Sequence, residues 1–225
     1  PWSVFQDGRG VTVDSAQNIH SITFCGTEDR LLDPYDDDYE GNVGPGGTIH
    51  LDWLPTHIAS VDVSCLNVKG TISTERFPRT LVYFTALRNQ LTGTFATIGL
   101  PPVMQSLCIN GNAFHGSLNV TTLPATMEHF SASSNKFSGT LDLTNLGTCI
   151  RSLCLDENLF TGPVDIGQLS PSLEVLLLYD NSICQDTLTV GDITRNVKSI
   201  SILRGNTIGK IIDKKGRPFR NTKLR

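Results

Sequence analysis

The residue types that carry acid–base chemistry or bind metals are present in this chain, but their spacing is scattered. The histidines are His20, His50, His57, His115 and His129, and the cysteines are Cys25, Cys65, Cys108, Cys149, Cys154 and Cys184. No two cysteines form the Cys-x-x-Cys pair that is typical of zinc sites. The sequence therefore predicts no metal site and no cofactor.

A repeat of 23 residues organises most of the chain. Three sets of residues keep this interval: Asn89, Asn112, Asn135, Asn158 and Asn181; Gly47, Gly70, Gly93, Gly116, Gly139 and Gly162; Leu54, Phe77, Leu100, Leu123, Leu146 and Leu169. Apolar residues recur around each Asn, and in one copy they are Met104, Leu107, Ile109, Phe114 and Leu118. The unit is L-x-x-L-x-L-x-x-N-x-L-x-G-x-L, and repeats of this length predict a solenoid.

Physical chemistry assigns a role to each part of the unit. The L-x-L segment has the period of two of a β-strand, so one strand per coil stacks in parallel on its neighbours. The chain then turns away with its backbone groups buried, and an inward Asn can both donate to them and accept from them. The Gly four residues later suits a tight bend. The last copy departs from the pattern with Gly205 followed by Asn206.

With these features, residues 47–208 resemble the leucine-rich repeat family. The 23-residue length, "LP" before the strand and "GTLDL" after it are similar to the kinetoplastid type and to the plant type. The resemblance implies a curved solenoid of seven to eight coils, mainly β with irregular or 3-10 turns, with a parallel sheet on its concave side. Trp2 and Val4 resemble the N-terminal cap of such proteins, but Gln6 stands where that cap has its Cys.

The chain divides into three parts on this basis. Residues 1–46 are predicted to form the N-terminal cap, with a first strand at Ile19, Ile22 and Phe24 followed by an acidic insertion. Residues 47–208 form the repeat array, and residues 209–225 form a basic C-terminal tail. The net charge of the whole chain is −4, but residues 204–225 carry eight Lys or Arg against one Asp. No stretch is long and apolar enough to predict a membrane span.

Outward positions of the strands form the concave face, and most are small and polar. The exceptions are the predicted partner-binding residues Tyr83, Leu87, His129, Val175, Leu177, Tyr179 and Leu203. Exposed apolar side chains on such a face tend to mark interaction sites. The alternative is that the segment from Ile208 to Phe219 folds back over the patch of Val175, Leu177, Tyr179 and Leu203.

Catalysis is not expected on this face. The predicted lateral neighbours of His129 are Ser106 and Ser152, and no acid lies beside it. A catalytic triad needs both a nucleophile and a carboxylate next to the histidine. Glu157 and Asp180 fall in one column on adjacent coils, as a glycosidase pair would, but on an open ridge without a pocket.

Cysteine positions bear on the compartment. Cys108 and Cys154 are predicted to point out of the concave face two coils apart, about 10 Å from each other, which exceeds the roughly 7 Å limit for a disulfide. Only Cys25 with Cys65 could be lateral neighbours. Exposed unpaired thiols favour a reducing compartment, so an intracellular location is predicted. Asn119-Val120-Thr121 is a glycosylation sequon that matters only in a secreted protein.

Three functions remain open at this stage. The first is a non-catalytic module that binds another protein on the concave face. The second is a structural subunit of a large intracellular assembly, either ribonucleoprotein or cytoskeletal, anchored by its tail. The tail residues that would contact RNA or an acidic protein surface are Lys214, Lys215, Arg217, Arg220, Lys223 and Arg225. The third is an extracellular receptor-like or surface-antigen ectodomain.

Overall fold

The computed structural model describes residues 10–24, 46–191, 197–219 and 223–224. Several predicted features lie outside these residues: the cap residues Trp2, Val4 and Gln6, and the acidic insertion. Cys25 also lies outside them, and with it the predicted contact between Cys25 and Cys65. Arg220 and Arg225 of the predicted anion-binding set also lie outside them.

Within the described residues the chain is a solenoid with two sheets, as the repeat predicts. The concave sheet contains β1 (Gly10–Val13), β2 (Ile19–Thr23), β4 (Ser60–Asp62), β6 (Tyr83–Thr85), β8 (Ser106–Cys108), β10 (His129–Ser131), β12 (Ser152–Cys154), β14 (Val175–Leu177) and β16 (Ser199–Ser201), in that order. Strand β1 pairs antiparallel with β2. All the following pairs are parallel and in register at intervals of one coil. Of the residues predicted for the first strand, Ile19 and Ile22 lie in β2, and Phe24 follows its last residue.

The second sheet lies on the other side of the solenoid. It contains β3 (Gly47–Thr48), β5 (Val68–Gly70), β7 (Gln90–Gly93), β9 (Ala113–Ser117), β11 (Lys136–Gly139), β13 (Leu159–Gly162), β15 (Ser182–Val190) and β17 (Thr207–Asp213). Short 3-10 helices lead from this sheet back to the concave one, at Leu51–Trp53, Thr74–Arg76, Thr97–Gly99 and Val120–Thr122. The predicted mainly β solenoid with 3-10 turns is therefore confirmed.

The core between the sheets is a continuous apolar column. Residues two positions after the ladder Asn stack from coil to coil: the rings of Phe114 and Phe137 lie 6.2 Å apart and 9° from parallel, and those of Phe137 and Phe160 lie 6.4 Å apart and 7° from parallel. All three are fully buried. Each coil therefore buries its apolar face only against its neighbours, which makes stability a sum of nearest-neighbour terms.

The Asn ladder joins each coil to the one before it. Asn135 shows the pattern: its Oδ1 accepts from Phe114 N at 3.0 Å, and its Nδ2 donates to Ile109 O at 3.0 Å. Nδ2 also donates to two carbonyls of its own coil. The equivalent bonds recur at Asn89, Asn112, Asn158 and Asn181. The shifted last copy uses Asn206, which accepts from Ile183 N and donates to Leu178 O.

The residue immediately before each Asn turns the chain with a positive φ. Arg88, Ser134, Glu157 and Asp180 have φ values of 52°, 52°, 54° and 50°, and Gly111 has 63°. This left-handed conformation is uncommon for residues other than Gly. It is tolerated here because the following Asn fixes the turn with several hydrogen bonds.

The C-terminal part of the chain continues the solenoid. Strand β17 crosses the predicted boundary at residue 208, and six of its residues pair with β15. A turn then brings Phe219 N to Ile211 O at 2.9 Å, and Leu224 bridges to Ile200 at the edge of the concave sheet. Ile208, Ile211, Phe219 and Leu224 pack against the core.

Candidate partner-binding face

The strand register places the predicted face residues in rows across the concave sheet. One row contains Ser60, Tyr83, Ser106, His129, Ser152, Val175 and Ser199. Tyr83 and His129 rise from it as exposed side chains between serines, and Tyr83 is 48% exposed. Small neighbours leave the flanks of both rings open to a second surface.

Tyr83 is held by one exposed contact. Its hydroxyl donates to Gln105 Oε1 of the next coil at 2.8 Å. Leu87 of the same coil is half-buried, and the backbone N–H of Leu87 donates to Ser64 Oγ at 3.2 Å. The exposed part of this end of the face is therefore mainly the Tyr83 ring.

The other predicted residues are less exposed. Val175, Leu177, Tyr179 and Leu203 are all half-buried, and Leu203 packs against the core. Leu177 lies beside Cys154 on one side and Ser201 on the other. These side chains therefore stabilise the last coils as well as presenting an apolar surface.

A buried polar chain that sequence reasoning did not single out as a unit supports Tyr179. Asp156 is 1% exposed and accepts from Ser133 Oγ at 2.7 Å. Ser133 N in turn donates to Asn110 Oδ1 at 3.2 Å. Burial raises the pKa of the Tyr179 hydroxyl well above its usual value, and the Asp156 carboxylate, which accepts a hydrogen bond from it, raises it further. The hydroxyl therefore stays protonated and donates to Asp156.

Arg204 covers the outer side of Tyr179. Its guanidinium carbon lies 4.1 Å from the ring centre, a distance typical of a cation–π contact. Its Nη2 lies 2.5 Å from Asp180 Oδ2. Arg204 thus joins the aromatic ring and the acidic ridge at one end of the face.

The two carboxylates of the ridge are engaged by different partners. Glu157 Oε2 accepts from Ser134 Oγ at 2.7 Å, whereas Asp180 pairs with Arg204. His129 has Ser106 and Ser152 beside it in the sheet. In the described part of the chain, no group of three His, Cys, Asp or Glu side chains is placed to hold a metal ion.

Cysteine exposure differs from the prediction at one position. Cys154 is only 5% exposed, so the expectation of an exposed thiol there is wrong; the larger Leu177 lies directly beside it. Burial raises the pKa of Cys108 to about 11. Cys149 and Cys184 are exposed. The thiols on the concave face are therefore poorly reactive, which weakens the inference from thiols to a reducing compartment.

The basic residues of the C-terminal part lie on a turn. Lys214 and Lys215 are exposed at its tip, while Arg217 forms an ion pair with Asp213 at 2.6 Å. The backbone carbonyl of Lys223 accepts from Ile200 N at 2.7 Å. Among the described basic residues of this set, Lys214 and Lys215 present the most accessible charge.

Repeat, two-sheet architecture and Asn ladder together define a leucine-rich repeat solenoid, a fold whose outward strand residues form an open face. Neither a protein-family model nor a curated protein sequence matches the chain.

Solved structures of plant receptors are similar to it. The leucine-rich repeat ectodomain of the receptor kinase GASSHO1/SCHENGEN3 from Arabidopsis thaliana, in complex with CASPARIAN STRIP INTEGRITY FACTOR 2, has a TM-score of 0.58 and 23% identity over 74% of this chain and 20% of that one. The Arabidopsis receptor kinase HAESA, in complex with the peptide hormone IDA and the co-receptor SERK1, gives 0.54 and 20% over 75% and 28%. The plant peptide hormone receptor RGFR1 in complex with RGF2 gives 0.53 and 21% over 75% and 31%. At these identities the likeness establishes the fold, and the chain spans less than a third of each of these proteins.

None of the helices in the described ranges has the length and apolar character needed to cross a membrane.

Proposed function

We propose that the chain is a non-catalytic module that binds a peptide or protein partner on its concave face. The observation that carries the proposal is Tyr83, an aromatic side chain that is 48% exposed on the concave sheet and whose neighbouring outward residues are Ser60 and Ser106. Tyrosine is enriched among residues that dominate binding energy, because it buries a large rigid surface and keeps a polar end.

The geometry of the face suits an extended partner. From Tyr83 to Tyr179 the outward residues run across successive parallel strands spaced about 4.8 Å apart. His129 lies between these two aromatic ends, with serines on both sides. A chain laid across the strands would meet an aromatic anchor, a histidine and then the apolar surface of Val175 and Leu177.

Support of a general kind comes from the similar folds. In the receptor structures above, HAESA is in complex with the peptide hormone IDA, the peptide hormone receptor RGFR1 is in complex with RGF2, and the GASSHO1/SCHENGEN3 ectodomain is in complex with CASPARIAN STRIP INTEGRITY FACTOR 2. The partner class of this chain is proposed by that analogy, and the residues that contact it are proposed from the exposure of its own side chains.

Tyr83→Ala is the sharpest test. The side chain makes one exposed hydrogen bond, so its removal is expected to leave the melting temperature within about a degree or two. Truncating an aromatic anchor of an interface costs about 2 kcal/mol or more, which is roughly a thirty-fold loss of affinity. Leu159→Ala is the matched control, since Leu159 is 53% exposed on the second sheet.

The assay is photo-crosslinking in the cells that make the protein, with a reactive amino acid at residue 83 or 159, followed by affinity measurement with the captured partner. Capture at residue 83 alone, weakened by Tyr83→Ala and not by Leu159→Ala, is the expected result. Equal capture at both positions, or unchanged affinity in Tyr83→Ala, contradicts the proposal. Alanine at Tyr179 is a poorer probe because it removes one donor of the buried Asp156 carboxylate, which then keeps Ser133 Oγ, and so it also affects the stability of the fold.

A structural subunit anchored by the basic turn is the second candidate. The observation that favours it is the pair of exposed lysines, Lys214 and Lys215, at the tip of that turn. RNA phosphates or an acidic protein surface are the partners such charge would attract.

A further inference from the structure

The tripeptide Asn119-Val120-Thr121 has a feature that the repeat does not explain. It is the only Asn-x-Ser/Thr sequence in the 225 residues. Asn119 lies just after strand β9 (Ala113–Ser117), outside both the ladder and the concave sheet. It is exposed between the buried side chains of Leu118 and Val120, so its side chain lies on the outer surface of the solenoid.

The local geometry joins the two polar side chains of the tripeptide. Asn119 Oδ1 accepts from Thr121 Oγ1 at 2.7 Å and from Thr121 N at 3.0 Å. The turn is the start of the 3-10 helix Val120–Thr122. Nδ2 of Asn119 donates none of the hydrogen bonds found within the described residues, so the amide nitrogen stays accessible while the hydroxyl polarises the carboxamide through its oxygen.

Other coils reveal what the fold itself requires at this position. One coil later Asp142 Oδ1 accepts from Thr144 Oγ1 at 2.6 Å and from Thr144 N at 2.9 Å, which is the same pair of bonds. One coil earlier Ala96 precedes the 3-10 helix with no side-chain cap at all, and Ser73 does the same in the coil before that. The fold therefore uses at most an acceptor oxygen here, and the amide nitrogen of Asn119 has no structural role.

We propose that Asn119 is an N-glycosylation site, which receives an oligosaccharide from a lipid diphosphate-linked donor in the lumen of the secretory pathway. Nδ2 attacks the anomeric carbon of the first sugar, and the bond from that carbon to the diphosphate oxygen breaks with its electron pair. The lipid diphosphate leaves, and one amide proton passes to a base of the transferase. The glycan then covers the outer surface beside the 3-10 helix Val120–Thr122 and leaves the concave face open.

This assignment places the chain among exported proteins, in contrast to the intracellular location predicted from its thiols. It does not depend on the proposed partner-binding face, because the modification and the binding involve different surfaces and separate assays.

The decisive measurement is made on the full protein isolated from the cells that produce it. Treatment with peptide N-glycosidase in ¹⁸O-labelled water converts a glycosylated Asn119 to ¹⁸O-labelled Asp, which peptide mass spectrometry detects. Labelled Asp at residue 119 is the expected result. An unmodified Asn119 peptide as the main species overturns the proposal.

Variants expressed in the same cells separate the modification from the fold. Asn119→Asp keeps the acceptor oxygen, as Asp142 does, and is expected to lose the glycosidase-sensitive mobility shift with its melting temperature unchanged. Thr121→Ser retains the hydroxyl and is expected to keep the shift, whereas Thr121→Ala loses it. A shift that persists in Asn119→Asp would place the glycan elsewhere and refute the assignment.

Discussion

Replacing Asn135 by alanine tests the role of the ladder most directly. The side chain is 8% exposed, and its removal affects four backbone groups. Three of them keep another donor: Ile109 O keeps Asn112 Nδ2 at 3.1 Å, Ala132 O keeps Asn158 Nδ2 at 3.0 Å, and Ser133 O keeps Gly111 N at 3.0 Å. Phe114 N loses the acceptor seen at 3.0 Å.

The expected loss of stability follows from these changes in hydrogen bonding. An orphaned buried N–H costs about 1–3 kcal/mol, and the hydrogen bonds lost from shared carbonyls add about 1 kcal/mol in total. The Asn135→Ala variant is therefore expected to be less stable by about 2–4 kcal/mol, measured as the free energy of unfolding in urea. Asn145→Ala is the control, because Asn145 is exposed and only donates to Thr144 Oγ1; its expected change is within about 0.5 kcal/mol.

A double variant makes the test more specific. Ala132 O accepts from both Asn135 and Asn158 at 3.2 and 3.0 Å, so removing both side chains leaves this carbonyl without either donor. The combined loss should exceed the sum of the single losses by about 1 kcal/mol. A loss below about 1 kcal/mol in Asn135→Ala, or strict additivity in the double variant, would refute the idea that shared carbonyls join successive coils.

Three further outcomes are expected. Gly162→Ala should lower the free energy of unfolding by about 1–3 kcal/mol, because φ at Gly162 is +72° and the new Cβ would lie 2.8 Å from Thr140 Cγ2. Adding Thr140→Ser to this variant should recover part of the loss, as measured by urea unfolding. If nothing is recovered, the close contact with Thr140 does not cause the loss. Burial raises the pKa of Cys108 to about 11, so Cys108 should be alkylated more slowly than the exposed Cys149 and Cys184. Because the thiolate is the nucleophile, the alkylation rate of Cys108 should rise about tenfold per pH unit between pH 8 and 10. Peptide mass spectrometry measures the rate at each cysteine, and equal rates at pH 8 would contradict the effect of burial. The double variant Lys214→Glu, Lys215→Glu should abolish any binding of RNA or an acidic partner to the basic turn without lowering the melting temperature. Binding measured at two salt concentrations checks this. Deletion of residues 210–225 is a poorer experiment, because it removes part of β17 and the bridge from Leu224 to Ile200.

The C-terminal segment differs from its prediction. The repeat ends in sequence near residue 208, and the basic composition beyond it predicts a tail. In the structure β17 runs to Asp213 and Leu224 joins the concave sheet. The contacts that order this segment are made with strands one coil earlier, so the local sequence pattern of the segment does not predict them.

Periodicity by itself determined the solenoid, the two positions of inward Leu and the ladder of Asn89, Asn112, Asn135, Asn158 and Asn181. It could do so because each coil meets only its neighbours and the same contacts recur every 23 residues. Exposure and pairing of the outward side chains were decided by the tertiary structure. Cys154 is buried beside Leu177, and Tyr179 donates to a carboxylate buried under the face. Those outcomes depend on the size of a neighbour 23 residues away, which varies from coil to coil and follows no period.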